Sequence, residues 1–159
     1  MNREIKYRGI TNWNETNKWI YGYLAMGTER MNRKKCYYII DDLEDVYEGD
    51  GGADHENMYY NRLISDEDTI GQYTGLKDKN GVEVYEGDIA KVTVEAQFGN
   101  HEFIATVEFD EGMFMLVASN KKTMMSFRGG DGFSVYEKIQ YEVIGNIHEN
   151  PDILKKEEV

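Results

Sequence analysis

Apolar and polar positions alternate along the second half of the chain with a period of two. Ala90, Val92 and Val94 are separated by Lys, Thr and Glu, and the same alternation returns over residues 103–109. This period is typical of strands that bury one face. Asp-Glu-Gly at 110–112 then predicts a hairpin turn. Further strands are predicted at 5–8, 18–24, 36–40, 82–85, 113–117 and 141–147.

Tight turns connect the predicted strands over residues 69–150. Asn-Gly at 80–81 tolerates the positive φ angles of a two-residue hairpin, and the chain has 16 Gly against one Pro. Short strands joined in this way predict a small antiparallel barrel similar to SH3-like barrels, because a closed sheet has no exposed edges. Asn150 and Pro151 then predict a short helix, since Asn caps a helix and Pro fits its first turn.

The predicted fold is therefore mainly β, in a single domain over residues 1–156. The region after the first strands is rich in Gly, Asp and Glu and has the weakest periodicity, which favours a solvated loop. The predicted parts are N-terminal strands in 1–40, an acidic loop region in 41–68, the SH3-like β-barrel in 69–150 and a short C-terminal helix in 151–156.

The predicted strand at 18–24 is apolar on both of its faces. Trp19, Tyr21 and Tyr23 share one face, whereas Ile20 and Leu24 share the other. A strand of this kind is buried between layers or pairs with another subunit. The three aromatic residues therefore form a candidate interaction surface, with core packing as the other interpretation. Together with Trp13 and the nearby basic residues, they are also suited to stacking on single-stranded nucleic acid.

The chain is strongly acidic, with 30 Asp and Glu against 18 Lys and Arg and a net charge of −12. Residues 41–68 hold eleven acids and one base, whereas residues 1–40 hold eight bases and three acids. A net charge of this sign repels nucleic-acid backbones and anionic membranes at long range. An acidic array on one loop would instead resemble nucleic acid to a partner protein. The candidate acidic surface consists of Asp41, Asp42, Glu44 and Asp45.

No motif in the chain indicates catalysis, a cofactor or a metal. His55, His101 and His148 lie far apart, and neither His-Glu-x-x-His nor paired cysteines occur. There is no Gly-x-Ser-x-Gly nucleophile elbow and no glycine-rich phosphate loop before a helix. We therefore predict no enzymatic activity, no catalytic residues, no cofactor and no metal site.

Cysteine content and apolar runs bear on the location of the protein. Cys36 is the single cysteine, which excludes an internal disulfide and suits a reducing cytoplasm. No run approaches the roughly 18 apolar residues of a membrane helix, and residues 1–6 lack the apolar centre of a secretion signal. The predicted location is the cytoplasm, away from membranes.

Three sequence blocks are more specific than the strand pattern. The signature segment at 71–89 reads Gly-Gln-Tyr-Thr-Gly-Leu-Lys-Asp-Lys-Asn-Gly-Val-Glu-Val-Tyr-Glu-Gly-Asp-Ile. It is preceded by Arg-Glu-Ile-Lys-Tyr-Arg-Gly at 3–9 with Lys-Trp-Ile-Tyr-Gly at 18–22, and followed by Tyr-Glu-Val-Ile-Gly-Asn-Ile-His-Glu-Asn-Pro at 141–151. In this order, the blocks resemble the YopX family, small proteins encoded mostly by bacteriophages and prophages. The resemblance implies a phage or prophage origin and a mainly β fold with an SH3-like barrel in the C-terminal half.

The resemblance carries over no catalytic residues, because the family has no established biochemical activity. We therefore predict a phage or prophage accessory protein, a non-enzymatic module that binds a host or phage protein inside the bacterial host. The doubly apolar strand makes a homo-oligomer a further expectation. The alternatives are an acidic DNA mimic that inhibits a host nucleic-acid-binding protein, and a weak nucleic-acid binder that uses the basic N-terminal region.

Overall fold

The computed structural model describes residues 4–12, 16–28, 33–40, 63–96, 99–119, 124–127 and 136–155. Most of these residues lie in strands, so the predicted mainly β fold is confirmed. The strands are β1 (Tyr7–Thr11), β2 (Lys18–Thr28), β3 (Lys35–Ile40), β4 (Asp66–Lys77), β5 (Glu83–Tyr85), β6 (Asp88–Ala96), β7 (Gly99–Asp110), β8 (Met113–Ala118), β9 (Met124–Ser126) and β10 (Tyr136–Asn146).

The predicted short C-terminal helix is also confirmed, as α1 (Asp152–Lys155). Pro151 precedes it directly, and the backbone N–H of Ile153 donates to the carbonyl of Asn150. The side chain of Asn150 points back along the chain, since its Oδ1 accepts a hydrogen bond from the N–H of Asn146 at 3.2 Å. Within the described ranges, no helix is long and apolar enough to cross a membrane.

The chain divides into two compact units, residues 1–73 and 74–159, and the division falls within β4. One sheet has the strand order β3-β2-β1-β4-β5, and the other has the order β10-β6-β7-β8-β9. Strand β1 pairs antiparallel with β2 and β4. Strands β6 to β9 pair in chain order, because hairpin connections place successive strands side by side.

The core of the first unit lies on one face of β1, β2 and β3. Leu24 lies opposite Ile39, and Ile39 and Ile64 are almost fully buried. Gly9, opposite Ile20, leaves the space that these side chains fill, because a Cβ at Gly9 would lie 2.6 Å from Ile64 Cδ1. Alternation along β2 therefore directs the neighbouring residues to the other face of the sheet.

The core of the second unit lies on the inner face of the second sheet. The predicted alternation along β6 is confirmed, because Val92 is fully buried while its neighbours Lys91 and Thr93 are partly exposed. Phe127 and Tyr141 close one side of this core in an edge-to-face contact at 5.0 Å between ring centroids. The buried core residues are Val84, Ala90, Val92, Val94, Ala105, Val107 and Leu116.

The second sheet is open in the described residues, with β10 and β9 at its two edges. The predicted closed SH3-like barrel is therefore not confirmed. Alternation identifies a strand and the face that it buries, but closure depends on the tilt and stagger of strands that are distant in sequence. In addition, β9 is short and pairs with β8 over Met124, Met125 and Ser126 only.

Candidate interaction surface

The signature segment contains a turn organised by one buried carboxylate. Asp78 Oδ1 accepts hydrogen bonds from the backbone N–H groups of Asn80 (2.7 Å) and Val82 (2.9 Å). Asp78 Oδ2 accepts a third from the N–H of Val143 in β10, at 3.0 Å. Gly81, at φ +85°, supplies the left-handed residue that the turn requires. The carboxylate therefore holds the turn together and fastens it to β10.

Burial and hydrogen bonding act in opposite directions on the pKa of Asp78. Burial of the side chain disfavours the charged form and so works to raise the pKa. The three backbone N–H donors and the nearby charge of Lys79 favour the carboxylate and outweigh burial, so that the pKa is lowered from its ordinary value of 3.8. Asp78 is therefore ionised at neutral pH, and it acts as a structural acceptor.

The end of the signature segment is held in a similar way. Asp88 is 1% exposed, and its Oδ2 accepts a hydrogen bond from the backbone N–H of Tyr85 at 2.7 Å. Gly87, at φ +80°, donates its N–H to the carbonyl of Val107 and accepts from the N–H of Ile147. The most specific block of the sequence is thus engaged in building the fold of the second unit.

Tyr21 and Tyr23 lie on an exposed face of β2. Each is 46% exposed, and Trp19, which shares this face, is partly buried. Directly opposite residues of an antiparallel pair share a face, and Arg8 of β1 lies opposite Tyr21. We refer to Arg8, Trp19, Tyr21 and Tyr23 as the aromatic face.

A cation–π contact orders one end of the aromatic face. Arg8 Cζ lies 4.7 Å from the ring centroid of Trp19, and Arg8 is only 6% exposed. A guanidinium shielded from water strengthens such a contact, because the ring competes with less solvent for the charge. The indole is thus preorganised beside two more accessible phenol rings.

Further ring contacts lie on the same side of this sheet. Lys6 Nζ is 5.1 Å from the ring centroid of Tyr73. On β3, Cys36 Sγ donates a hydrogen bond to the Tyr38 hydroxyl at 3.2 Å. The ring of Tyr38 covers Gly27 closely, since a Cβ at Gly27 would lie 3.0 Å from Tyr38 Cε2. Tyr73 is buried and Tyr38 is partly buried, so these rings pack on the same side of the sheet as the aromatic face and add little accessible surface to it.

Sequence reasoning singled out Trp19, Tyr21 and Tyr23, and the structure places them together on one face. It adds Arg8, which no local pattern identifies, because its position opposite Tyr21 follows from the β1–β2 register. Within the part of the chain that the structure describes, no group of three or more His, Cys, Asp or Glu side chains is placed to hold a metal ion. The candidate acidic surface, Asp41, Asp42, Glu44 and Asp45, lies outside the described residues.

A second exposed apolar group, at the end of the β7–β8 hairpin, was missed by sequence reasoning. Phe109 and Met113 are 51% and 52% exposed, and the Phe109 and Phe114 ring centroids are 4.9 Å apart. Alternation places Phe109 on the same face as the buried Val107, but it does not indicate where along the strand the core ends. We refer to residues 108–114 as the hairpin tip. It carries three exposed acids and no base: Glu108, Asp110 and Glu111.

Comparison with known proteins shows the family. A model of the family described as YopX protein matches residues 6–155. The chain belongs to the YopX family. This match confirms the resemblance of the three sequence blocks, and it extends over residues from both compact units of this YopX family member.

Among solved structures, the crystal structure of protein EF1440 from Enterococcus faecalis is similar to this YopX family member. The sequence identity is 21%, the match covers 96% of this chain and 99% of that chain, and the TM-score is 0.48. No curated protein sequence matches the chain significantly.

Proposed function

We propose that this YopX family member is a phage- or prophage-encoded accessory protein that binds another protein through its aromatic face and catalyses no reaction. Membership of the YopX family supports this origin, because the resemblance of the three sequence blocks to that family implies a phage or prophage gene. The observation that carries the binding role is the aromatic face itself. It presents Tyr21 and Tyr23, each 46% exposed, beside the partly buried Trp19 on one side of a sheet, and Trp and Tyr are among the residue types most enriched in binding hot spots.

A protein partner suits this face better than a nucleic acid does. Neutralisation of phosphates supplies most of the affinity for nucleic acid, and it requires accessible cations. Arg8 is 6% exposed and stacks on Trp19, so it presents little charge to solvent. The net charge of −12 adds long-range repulsion. Half-exposed Tyr rings, by contrast, bury a large area against protein at a low cost in side-chain entropy.

The buried carboxylates of the second unit support a role without catalysis. Both oxygens of Asp78 and Oδ2 of Asp88 accept hydrogen bonds from backbone N–H groups. A catalytic carboxylate directs an oxygen towards its substrate, whereas these oxygens are directed into the turns of the fold. We propose the bacterial cytoplasm as the location, because Cys36 is the single cysteine of the chain, it is buried, and the fold needs no disulfide.

Site-specific photo-cross-linking in the bacterial host tests the proposal directly. The cross-linking amino acid p-benzoylphenylalanine replaces Tyr23 on the aromatic face or, as a matched control, Met26. Met26 is 74% exposed and lies on the opposite face of the same strand. We expect irradiation to give a discrete protein adduct from position 23 and none from position 26. Equal labelling at both positions, or an adduct that nuclease removes, would contradict a protein-binding face.

Substitutions distinguish binding through the aromatic face from binding through the candidate acidic surface. In pull-downs from host lysate, Tyr21→Ala with Tyr23→Ala is expected to lose a partner that Met26→Ala retains. Retention of that partner by the wild type at high salt is expected, because contacts between apolar rings are little affected by screening. The DNA-mimic alternative makes a different prediction. A partner that is released at high salt, and whose binding is unchanged by substitution of both tyrosines, would assign binding to the candidate acidic surface.

A further inference from the structure

The dipeptide Asn80-Gly81 in the Asp78 turn is chemically labile. It is the only place in the sequence where Gly follows Asn. A backbone nitrogen that follows Asn can attack the side-chain amide carbon, and Gly hinders this attack least because it has no Cβ. Both residues are exposed, and a Cβ at Gly81 would meet no atom within 4 Å beyond its chain neighbours. Neither crowding nor burial therefore protects the Asn80 side chain from the attack.

Two hydrogen bonds restrain the reacting groups in the folded turn. The Gly81 N–H donates to the carbonyl of Asp78 at 3.0 Å, and Asn80 Nδ2 donates to Glu142 Oε1 in β10 at 3.3 Å. Both bonds have to break before the Asn80 amide can turn towards the Gly81 nitrogen. Local opening of an exposed turn costs less than global unfolding and supplies such states repeatedly. The Asp78 carboxylate, which holds the turn closed, therefore sets how often the reaction can occur.

We propose that Asn80 is a site of spontaneous deamidation whose product uncovers the edge of β10. The Gly81 nitrogen forms a bond to Cγ of Asn80 and loses its proton, while the Cγ–Nδ2 bond breaks and ammonia leaves, which closes a succinimide ring. Water then opens the ring, and the ring nitrogen regains a proton. Addition of water at Cγ gives Asp. Addition at the backbone carbonyl carbon gives isoaspartate, in which the main chain runs through Cβ and Cγ of residue 80.

The isoaspartate product changes the path of the main chain in the turn. It adds one carbon atom between the Cα of residue 80 and the nitrogen of Gly81. Gly81 and Val82 lie beyond this addition, and their N–H groups donate to the carbonyl and to Oδ1 of Asp78. The added atom moves both donors relative to their acceptors, and hydrogen bonds weaken steeply outside their normal distances and angles. The turn therefore loses hydrogen bonds on its C-terminal side.

The Asp product places a second carboxylate beside Glu142. Deamidation replaces Nδ2 of Asn80, which donates to Glu142 Oε1, by an oxygen that carries negative charge. Lys79 Nζ, 2.5 Å from Glu142 Oε2, offsets part of the resulting repulsion. Interactions between charges at the surface are small, so we expect the Asp product to loosen the turn less than isoaspartate does.

A loosened turn exposes backbone groups of β10. In the intact turn, the Lys79 N–H donates to the Tyr141 carbonyl at 3.1 Å, and Asp78 Oδ2 accepts from the Val143 N–H at 3.0 Å. Both backbone groups lie on the outer side of an edge strand. Without the turn they become available for pairing with another chain. The inference does not depend on the proposed function, because it concerns the Asp78 turn and β10 alone.

Incubation of the purified full chain at physiological temperature and ionic strength tests the site. Intact mass spectrometry follows the conversion of amide to acid, and peptide mapping locates it and separates Asp from isoaspartate. We expect conversion at Asn80 ahead of every other Asn, and no conversion at this position in Asn80→Gln, whose longer side chain closes a less favourable ring. Asp78→Asn should accelerate conversion at Asn80 about tenfold or more, because the turn loses a charged acceptor.

Hydrogen exchange tests the consequence for β10. The isoaspartate form is separated from the unmodified chain by chromatography, and circular dichroism confirms that it is folded. Exchange of the Val143 amide should be at least about tenfold faster in the isoaspartate form, since its acceptor is no longer held in place. The amide of Val92, which is fully buried in the central strand β6, serves as the control and should exchange equally in both forms.

The wild type alone is sufficient to contradict the proposal, whether or not the Asp78→Asn variant folds. Conversion at Asn80 that is no faster than at the other Asn residues would overturn the site. Exchange at Val143 that is the same in the unmodified and isoaspartate forms would overturn the effect on the edge of β10.

Discussion

Several single residues in this chain have backbone conformations or contacts that their neighbours impose. Glu111 and Gly112 form the β7–β8 turn with φ angles of +47° and +85°. Two left-handed residues in succession define a type I′ turn, whose twist matches that of the flanking strands. Gly adopts this conformation freely, but Glu does so against steric hindrance between its Cβ and the backbone.

Replacement of Glu111 by Asn should stabilise the protein. Asn enters the left-handed region several times more readily than Glu, which corresponds to about 0.5–1 kcal/mol in the free energy of unfolding. Urea denaturation followed by circular dichroism measures the change. Glu111→Gln is the matched control, because it removes the same charge without the conformational preference. An equal gain in both variants would assign the effect to charge.

Gly145 is required by packing. A Cβ at this position would lie 2.5 Å from Oδ1 and 2.9 Å from Cγ of Asn150. The Asn150 side chain cannot move away without losing a hydrogen bond, since its Oδ1 accepts from the backbone N–H of Asn146. Gly145→Ala should therefore lower the free energy of unfolding by about 1–3 kcal/mol.

A double-mutant cycle checks the cause of this loss. In an Asn150→Gly background the atoms that meet the new Cβ are gone, so Gly145→Ala should cost much less there than in the wild type. Thermal unfolding of the four proteins gives the coupling. A cost that is the same in both backgrounds would exclude the Asn150 contact as its source.

Among the strands and turns, the turn at Asp78 protects one edge of the second sheet. β10 is an edge strand of that sheet, and on its outer side Lys79 N–H donates to the Tyr141 carbonyl while Val143 N–H donates to Asp78 Oδ2. Unpaired edge groups invite pairing with other chains, and this turn occupies them. The Asp78 carboxylate therefore stabilises the turn and also pairs a backbone N–H group at the edge of the sheet.

Asp78→Asn should destabilise the protein at neutral pH. The amide keeps one acceptor but turns its NH₂ group towards a backbone N–H, so a donor faces a donor, at a cost of about 1–3 kcal/mol. The pKa of Asp78 is lowered in the folded state, so its stabilisation is present above the unfolded value near 3.8 and is lost as pH falls through the lower folded value.

The gap in unfolding free energy between wild type and Asp78→Asn should therefore shrink below about pH 4. Urea titrations at neutral and acidic pH measure this gap. Asp152→Asn is a suitable control, because its carboxylate is on the surface, where ion pairs contribute little. A gap that stays constant to the most acidic pH would show that the carboxylate charge does not matter.

The strands were more predictable from sequence than the assembly of the sheets. Alternation and turn residues are local, and they correctly placed β6, β7, β8 and the helix after Pro151. The bond from Val143 to Asp78 spans 65 residues, and no periodic pattern encodes such a contact. For the same reason, sequence predicted a closed barrel where the described strands form an open sheet.

For the molecule as a whole, the dominant property is its net charge of −12. Charges of one sign in excess repel one another in the compact state and oppose folding. Isolated surface ion pairs such as Lys91–Glu102, at 2.8 Å, offset this repulsion only slightly. Screening should therefore relieve more repulsion than it removes attraction.

Added salt should accordingly raise the melting temperature. Going from about 0.01 M to about 0.1 M NaCl shortens the screening length from roughly 30 Å to roughly 10 Å, and we expect a rise of a few degrees. Differential scanning calorimetry measures it, and KCl should act in the same way because the effect is screening rather than ion binding. A fall in melting temperature would mean that favourable ion pairs outweigh the net repulsion.

Short-range pattern was sufficient to establish a mainly β chain, a short C-terminal helix and membership of the YopX family, because these follow from residues close together in sequence. It was also sufficient to group Trp19, Tyr21 and Tyr23. Which apolar side chains become covered was settled by pairing across the sheets: Val107 is buried, whereas Phe109, two residues later on the same face, is 51% exposed. Likewise, Arg8 joins the aromatic face through its register with Tyr21. The burial of a given side chain depends on contacts between segments that are distant in sequence, and these contacts exist only once the chain has folded.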